Sequence, residues 1–269
     1  NQNEDVRNRF IMNGAMKYQF TDWLNAEVKA GADIYTTNTE ARLYAGSPIN
    51  TAGSFSTGKF TFTELNYSAL VTARKDNLFG KLGANASVGG NLMQQRSSRL
   101  SASTGSLLVP DLFSIKNSKG NPTFTDELTR QNINSVYGTA GINWDSYLFL
   151  DATMRNDWTS TLIPANRSFF YPSVSLSYVF TEQFRSMPKW FSYGKLRASY
   201  AAVGNSLEPY QLYNTYTIDK DPNGNPIASR KKTLYNPNVH SELIKSYEAG
   251  AELRFVDNRF GIDVSYYKS

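Results

Sequence analysis

Apolar and polar residues alternate one for one in about ten separate stretches of this chain, and no other feature restricts its fold as much. A period of two is the repeat of a β-strand whose two faces meet different surroundings. Leu24, Ala26, Val28, Ala30, Ala32 and Ile34 form one face of such a stretch, with Asn25, Glu27, Lys29, Gly31 and Asp33 on the other. Before it, Phe10, Met12, Met16, Tyr18 and Phe20 oppose Arg9, Asn13, Lys17 and Gln19. The pattern returns at 65–73, 82–92, 133–144 and 147–157, where Leu148, Leu150 and Ala152 oppose Asp151, Thr153, Arg155 and Asp157. It returns again at 170–180, 195–200, 247–255 and 260–266. Each stretch is close to the roughly 9 to 11 residues with which a tilted strand crosses a bilayer.

Other ways of building the chain fall away. No apolar run exceeds four residues, the longest being 147–150 and 200–203, whereas a transmembrane helix needs about 20. Sixteen Phe, 17 Tyr and 4 Trp are too many for a disordered tail. With no cysteine and a single histidine, His240, the chain has no disulfides, Cys-ligated zinc or His-pair metal and catalytic motifs. No cofactor is expected. The net charge of +5 lacks a cluster to match it: the densest basic run, Arg230, Lys231 and Lys232, lies in a Pro/Asn-rich stretch and reads as solvated loop. No nucleic-acid partner is expected either. The chain opens at Asn1 without Met or signal peptide and stops at Ser269 without a closing turn, so both ends are expected to be cuts in a longer protein.

Connection lengths alternate too. Turns near 21–23, 75–78, 145–146 and 257–258 separate loops expected at 36–60, 93–131, 158–168 and 203–245. Short turns at one end and long loops at the other are the habit of outer-membrane barrels, with the turns periplasmic and the loops extracellular. The link at 181–191 fits least, and Met187-Pro188 there is expected to end a short helical turn. Phe20, Trp23, Phe79, Trp144, Tyr147, Phe180, Trp190, Phe191, Phe255 and Phe260 gather around the short turns, as in an interfacial aromatic girdle. Apolar faces are often only Ala or Gly in their middle, as at 26–32 and 84–86, which would leave a soluble sandwich a thin core. The expected fold is all-β: an antiparallel transmembrane β-barrel segment of about ten consecutive up-and-down strands.

The stretch YLFLDATMRNDWTSTLIPANRSFFYPSVSLSYVF at 147–180 resembles the SusC/RagA family of TonB-dependent outer-membrane transporters. LRASYAAVGN at 196–205, PYQLYNTY at 209–216, KSYEAGAELRFVDNRFGIDVSYYKS at 245–269 and INSVYGTAGINW at 133–144 resemble further barrel strands of that family. The likeness covers 133–269 by these motifs and 1–132 by pattern. It implies the outer membrane of a Gram-negative bacterium and a plugged barrel of the 22-stranded class. Residues 1–269 would be part of its one barrel domain, with plug, TonB box and terminal strand outside this sequence.

The resemblance further implies import of a glycan or peptide oligomer, TonB coupling through the plug, and a SusD-like surface lipoprotein as a lid. The loop aromatics Tyr44, Phe55, Tyr210, Tyr213, Tyr216 and Tyr235 are candidates to contact ligand or lid, since a ring offers a large rigid contact with a polar edge. The bland alternative is that they pack loop against loop. Glu27, Asp33, Arg155, Asp157, Lys195 and Arg197 are expected on the lumen face, lining a solute path or pairing across strands. The competing readings are a complete ten-stranded barrel enzyme, such as a surface protease, and a soluble glycan-binding sheet. His240 far from any strand-end aspartate pair supports the enzyme poorly.

Overall fold

In the computed structural model, residues 2–48, 50–184, 186–230 and 232–269 are described. Lys231 of the basic run lies outside them. Twelve strands follow one another: β1 Gln2–Thr21, β2 Leu24–Leu43, β3 Ser54–Phe79, β4 Leu82–Ser103, β5 Thr123–Trp144, β6 Leu148–Thr159, β7 Ser168–Val179, β8 Phe191–Asn205, β9 Tyr216–Lys220, β10 Pro226–Arg230, β11 Glu242–Phe255 and β12 Phe260–Lys268. A helical turn, α1, covers Phe180–Gln183. Ten strands form one sheet in the order β1-β2-β3-β4-β5-β6-β7-β8-β11-β12, and β9 and β10 pair apart as a hairpin. By compactness the chain divides into a unit of 1–14, 29–67 and 93–132 and a unit of 15–28, 68–92 and 133–269.

The strands outrun their sequence signal. β3 is 26 residues long and β4 and β5 are 22 each, so much of the loops expected at 36–60 and 93–131 is strand. The connections themselves are 44–53 and 104–122, the latter holding a 3-10 turn at Ile115–Asn117. The reason is chemical. At 36–42 and 123–129 threonines and charges occupy both faces, as suits a strand with water on both sides, and strict alternation is lost although β-branched residues still favour extended backbone. The turn expected at 75–78 is also strand, and the chain reverses at 80–81, where Gly80 takes φ +64. Helical backbone ends at Gln183, before Met187 and Pro188.

Short turns follow their local chemistry. Asp145 and Ser146 both take positive φ, and Tyr147 N–H donates to the Trp144 carbonyl at 3.1 Å, closing a two-residue primed turn that matches strand twist. Lys81 and Asp145 pair beside it.

Register shows how the alternation is used. Ile142 pairs with Leu150, Leu150 with Leu176, Leu176 with Ala198, Ala198 with Ala249 and Ala249 with Tyr266, an apolar row across six strands. One position along, Gly141, Asp151, Ser175, Ser199, Glu248 and Tyr267 make the row on the opposite face. Among the described residues nothing covers the apolar face: Val28, Leu196 and Val264 are 50%, 47% and 60% exposed. Six strands' worth of apolar side chains without protein over them mark a surface made for another apolar phase. Burial concentrates elsewhere. In the first unit Leu107, Phe55, Thr104 and Asn117 are buried; in the second, Leu162, Ala202, Leu212, Asp157 and Thr159.

Candidate functional site

The polar face carries most of the charged side chains singled out by sequence, and side chains two apart on a strand share that face. On β6, Arg155 Nε donates to Asp157 Oδ1 at 2.8 Å and Arg155 Nη2 to Ser135 Oγ of β5 at 2.9 Å. Tyr171 Oη of β7 donates to the other Asp157 oxygen. The register dictates the cluster, for Arg155 lies opposite Tyr137 on one side and Tyr171 on the other. Its guanidinium rests 5.8 Å from the Tyr137 ring centre, and Tyr171 stacks on Phe169. Asp157 is buried, and Arg155 and Tyr171 give each of its carboxylate oxygens a hydrogen bond.

Arg197 on β8 reaches across β11 to β12. Its Nη1 and Nη2 donate to Asp263 at 3.2 and 2.7 Å, Nη2 also bonds Ser265, and Nε donates to Glu248 at 3.5 Å. The path exists because Arg197 lies opposite Gly250, where a Cβ would sit 2.8 Å from Arg197 Nε. Lys195 lies opposite Glu252 and lines an open cavity of about 670 Å³ with Asp151, Glu182 and Tyr193. Asp33 on β2 accepts from Arg9 on β1 at 2.8 and 2.6 Å. Glu27, on the same strand as Asp33 and an even step away, is half-buried. Such pairs neutralise charge along a wettable wall.

The loop aromatics divide. Phe55 is not a loop residue: it sits on β3, is 8% exposed, and its ring packs 6.2 Å from Phe113. Tyr44 meets Phe113 edge-on at 4.9 Å, with the Arg42 guanidinium 6.0 Å from the centre of that ring. Both therefore help to pack the 44–53 connection against 104–122. Tyr210, Tyr213 and Tyr216 are 63%, 64% and 64% exposed, with Tyr216 opening β9 rather than lying in loop. Tyr235 is half-buried and its backbone N–H and carbonyl are both bonded by the Asn214 side chain. His240 is exposed in the same connection.

Two features escaped the sequence reading. The β9–β10 hairpin lies inside the longest loop, and the Asp221-Pro222-Asn223-Gly224-Asn225 turn that closes it was a legible signal. Arg7 and Arg99 were also missed, because they lie where the alternation fades.

At the short-turn end, rings run in contact through Tyr147, Tyr178, Phe180, Phe191, Phe255 and Trp190, neighbouring centres lying 5.2–6.3 Å apart. This is the geometry of an interfacial girdle.

The family model described as TonB dependent receptor-like, beta-barrel matches residues 1–269. Among curated proteins, TonB-dependent receptor P3 of Formosa agariphila is 25% identical over 261 residues, which are 93% of this chain and 26% of that receptor. The chain thus spans about a quarter of that relative's length. The solved RagAB peptide transporter aligns with 99% of this chain and 30% of its own at a TM-score of 0.88 and 19% identity. The siderophore receptor PiuA from Acinetobacter baumannii aligns with 98% of this chain and 40% of its own, at a TM-score of 0.61 and 13% identity. At these identities the structural likeness is one of fold.

Proposed function

The chain belongs to the TonB-dependent receptor-like β-barrel family of the outer membrane, and on that premise we propose that, as a SusC/RagA-like member, it supplies ten consecutive strands of a single barrel domain that imports an oligomeric nutrient with TonB energy. The observation that carries this reading is the match of one barrel family to residues 1–269. The uncovered apolar face is the lipid face, and the face bearing Arg155, Asp157, Lys195, Arg197, Glu27 and Asp33 lines the lumen. Coupling to TonB runs through a plug encoded outside these residues. A SusD-like lipoprotein lid closes over the connections 44–53 and 206–241, and Tyr210, Tyr213 and Tyr216 contact lid or cargo. Their exposure supports this, since aromatic rings that are accessible at the surface are the side chains interfaces are enriched in.

The cargo on this reading is a glycan. A peptide is the second reading, favoured by the fold likeness to a transporter whose own cargo is peptide. The test replaces Tyr210, Tyr213 and Tyr216 together by Ala in the full-length protein, with heat-modifiable migration reporting an intact barrel. Central aromatic anchors cost about 2 kcal/mol or more when truncated, or roughly thirtyfold. Lid association or uptake is expected to fall by that factor, and unchanged values for both would assign the three rings to loop packing.

A further inference from the structure

On the polar face of the first unit lies an open cavity of about 550 Å³ whose lining differs in kind from the paired charges elsewhere. Three basic residues, Arg7, Lys59 and Arg99, and one acidic residue, Asp5, line it. The two guanidiniums are arranged alike. Arg7 lies 5.0 Å from the Tyr35 ring centre and Arg99 lies 5.7 Å from that of Phe60. A ring beneath a guanidinium occupies its face and leaves the N–H edge free. Arg7 spends one donor, Nε, on Thr37 Oγ1 at 3.0 Å. Among the described residues neither arginine forms an ion pair, whereas Arg9, Arg155 and Arg197 on the same face each hold an aspartate.

Most of the remaining lining is hydroxyl, with Thr37, Thr39, Ser101, Ser103, Thr123 and Thr125 among it, and Gly58, Phe60 and Ala102 complete it. Each hydroxyl both donates and accepts, which suits a ligand that does the same along its length. Gly58 keeps the space open, because a Cβ there would meet Thr39 Oγ1 at 2.9 Å and Ser101 Cβ at 3.2 Å. We infer that this cavity is a binding site for an acidic oligosaccharide, its carboxylates held by Arg7 and by Arg99 and its hydroxyls by the Ser/Thr lining. Guanidinium forks match a carboxylate in a two-bond geometry that no neutral group reproduces. A peptide fits the lining less well, having apolar side chains and few hydroxyls to offer it. The inference rests on the import reading and narrows its cargo.

The probe is trigalacturonate, titrated calorimetrically into the purified full-length protein in detergent, with maltotriose as the neutral counterpart. Trigalacturonate is expected to bind at least about tenfold more tightly than maltotriose and to weaken as salt is raised. Arg99→Gln and Arg7→Gln should each weaken trigalacturonate by about tenfold or more while leaving maltotriose unchanged. Gly58→Val should weaken both sugars. Equal affinity for the two sugars, loss-free arginine variants, or tighter binding of the acidic peptide tri-aspartate than of trigalacturonate would each overturn the inference. The salt dependence is measured on the unaltered protein, so a variant that fails to fold does not remove the test. Uptake of a neutral oligomer without trigalacturonate binding would defeat this inference and leave import standing, whereas binding without uptake of any oligomer would defeat import alone.

Discussion

Asn117 does for the connection between β4 and β5 what an apolar core does for a globular domain. Its Nδ2 donates to the carbonyls of Val109 and Leu112 at 2.8 Å each, and its Oδ1 accepts from Val109 N–H at 3.0 Å. Leu107, at 1% exposure, packs beside this knot, and Thr104 Oγ1 bonds both backbone groups of Phe55. Asn117→Ala removes three part-buried hydrogen bonds to the backbone of Val109 and Leu112, a cost of about 0.5–1.5 kcal/mol for each. Limited proteolysis of the full-length protein should then cut within 104–122 at least about tenfold faster, with the barrel's heat-modifiable migration unchanged. None of this was legible in sequence, since a lone Asn in a loop carries no periodic signal. Gly250 makes a second residue-scale case. Gly250→Val would occupy the space Arg197 crosses to reach Asp263. The variant should lose about the same barrel stability as Arg197→Ala, and the double variant should add little to either, because both break one interaction.

At the scale of single elements, the alternation in β6 is a claim about surroundings that charge can probe. Leu150 sits between Ile142 and Leu176 on the apolar face, whereas Thr153 lies between Thr139 and Ser173 on the polar one. Leu150→Arg should therefore cost about 2–4 kcal/mol of folding stability in bilayers, and Thr153→Arg should fold normally. Tolerance of the first with failure of the second would invert the register, since a one-residue slip exchanges every side chain between faces. The hairpin of β9 and β10 is a different kind of element, held at its tip by Asp221, whose carboxylate accepts from the Asn223 and Asn225 backbone and the Asn225 side chain. The Asn225 side-chain donor, followed by these amides, holds the Asp221 carboxyl below its ordinary value. A depressed carboxyl stabilises the hairpin at pH above the unfolded value of about 3.9, and that contribution disappears as pH falls through the lower folded value. Hydrogen exchange across 216–230, corrected for intrinsic rate, should show protection at pH 5 that is lost near pH 2, and Asp221→Asn should flatten the difference.

For the molecule as a whole, what sequence revealed and what it hid follow from which surfaces change medium. Where one face meets lipid and the other water, Leu148, Leu150 and Ala152 had to alternate with Asp151, Thr153 and Arg155, so the ten-strand order could be read from the chain alone. At 36–43 and 123–131 polar side chains stand on both faces, so the strand there carries no strict period of two and reads as loop. The same gradient explains the candidate sites: Arg155 and Arg197 stood out because apolar neighbours framed them, while Arg7 and Arg99 lay among polar residues and did not. One property of the whole remains open to a direct test, the direction in which the chain is threaded through the membrane. Along the chain the long connections at 44–53, 104–122 and 206–241 alternate with the short turns at 22–23, 80–81, 145–147 and 256–259. Barrels of this class keep short turns periplasmic and long loops outside. The absence of native cysteine in these residues makes single thiols clean reporters. Asn223→Cys at the tip of the β9–β10 hairpin should react with an impermeant thiol reagent in intact cells, and Asn258→Cys in the last short turn should react only after the outer membrane is opened. Equal labelling of both in intact cells would end the topological assignment, and with it the proposed contact of Tyr210, Tyr213 and Tyr216 with lid or cargo.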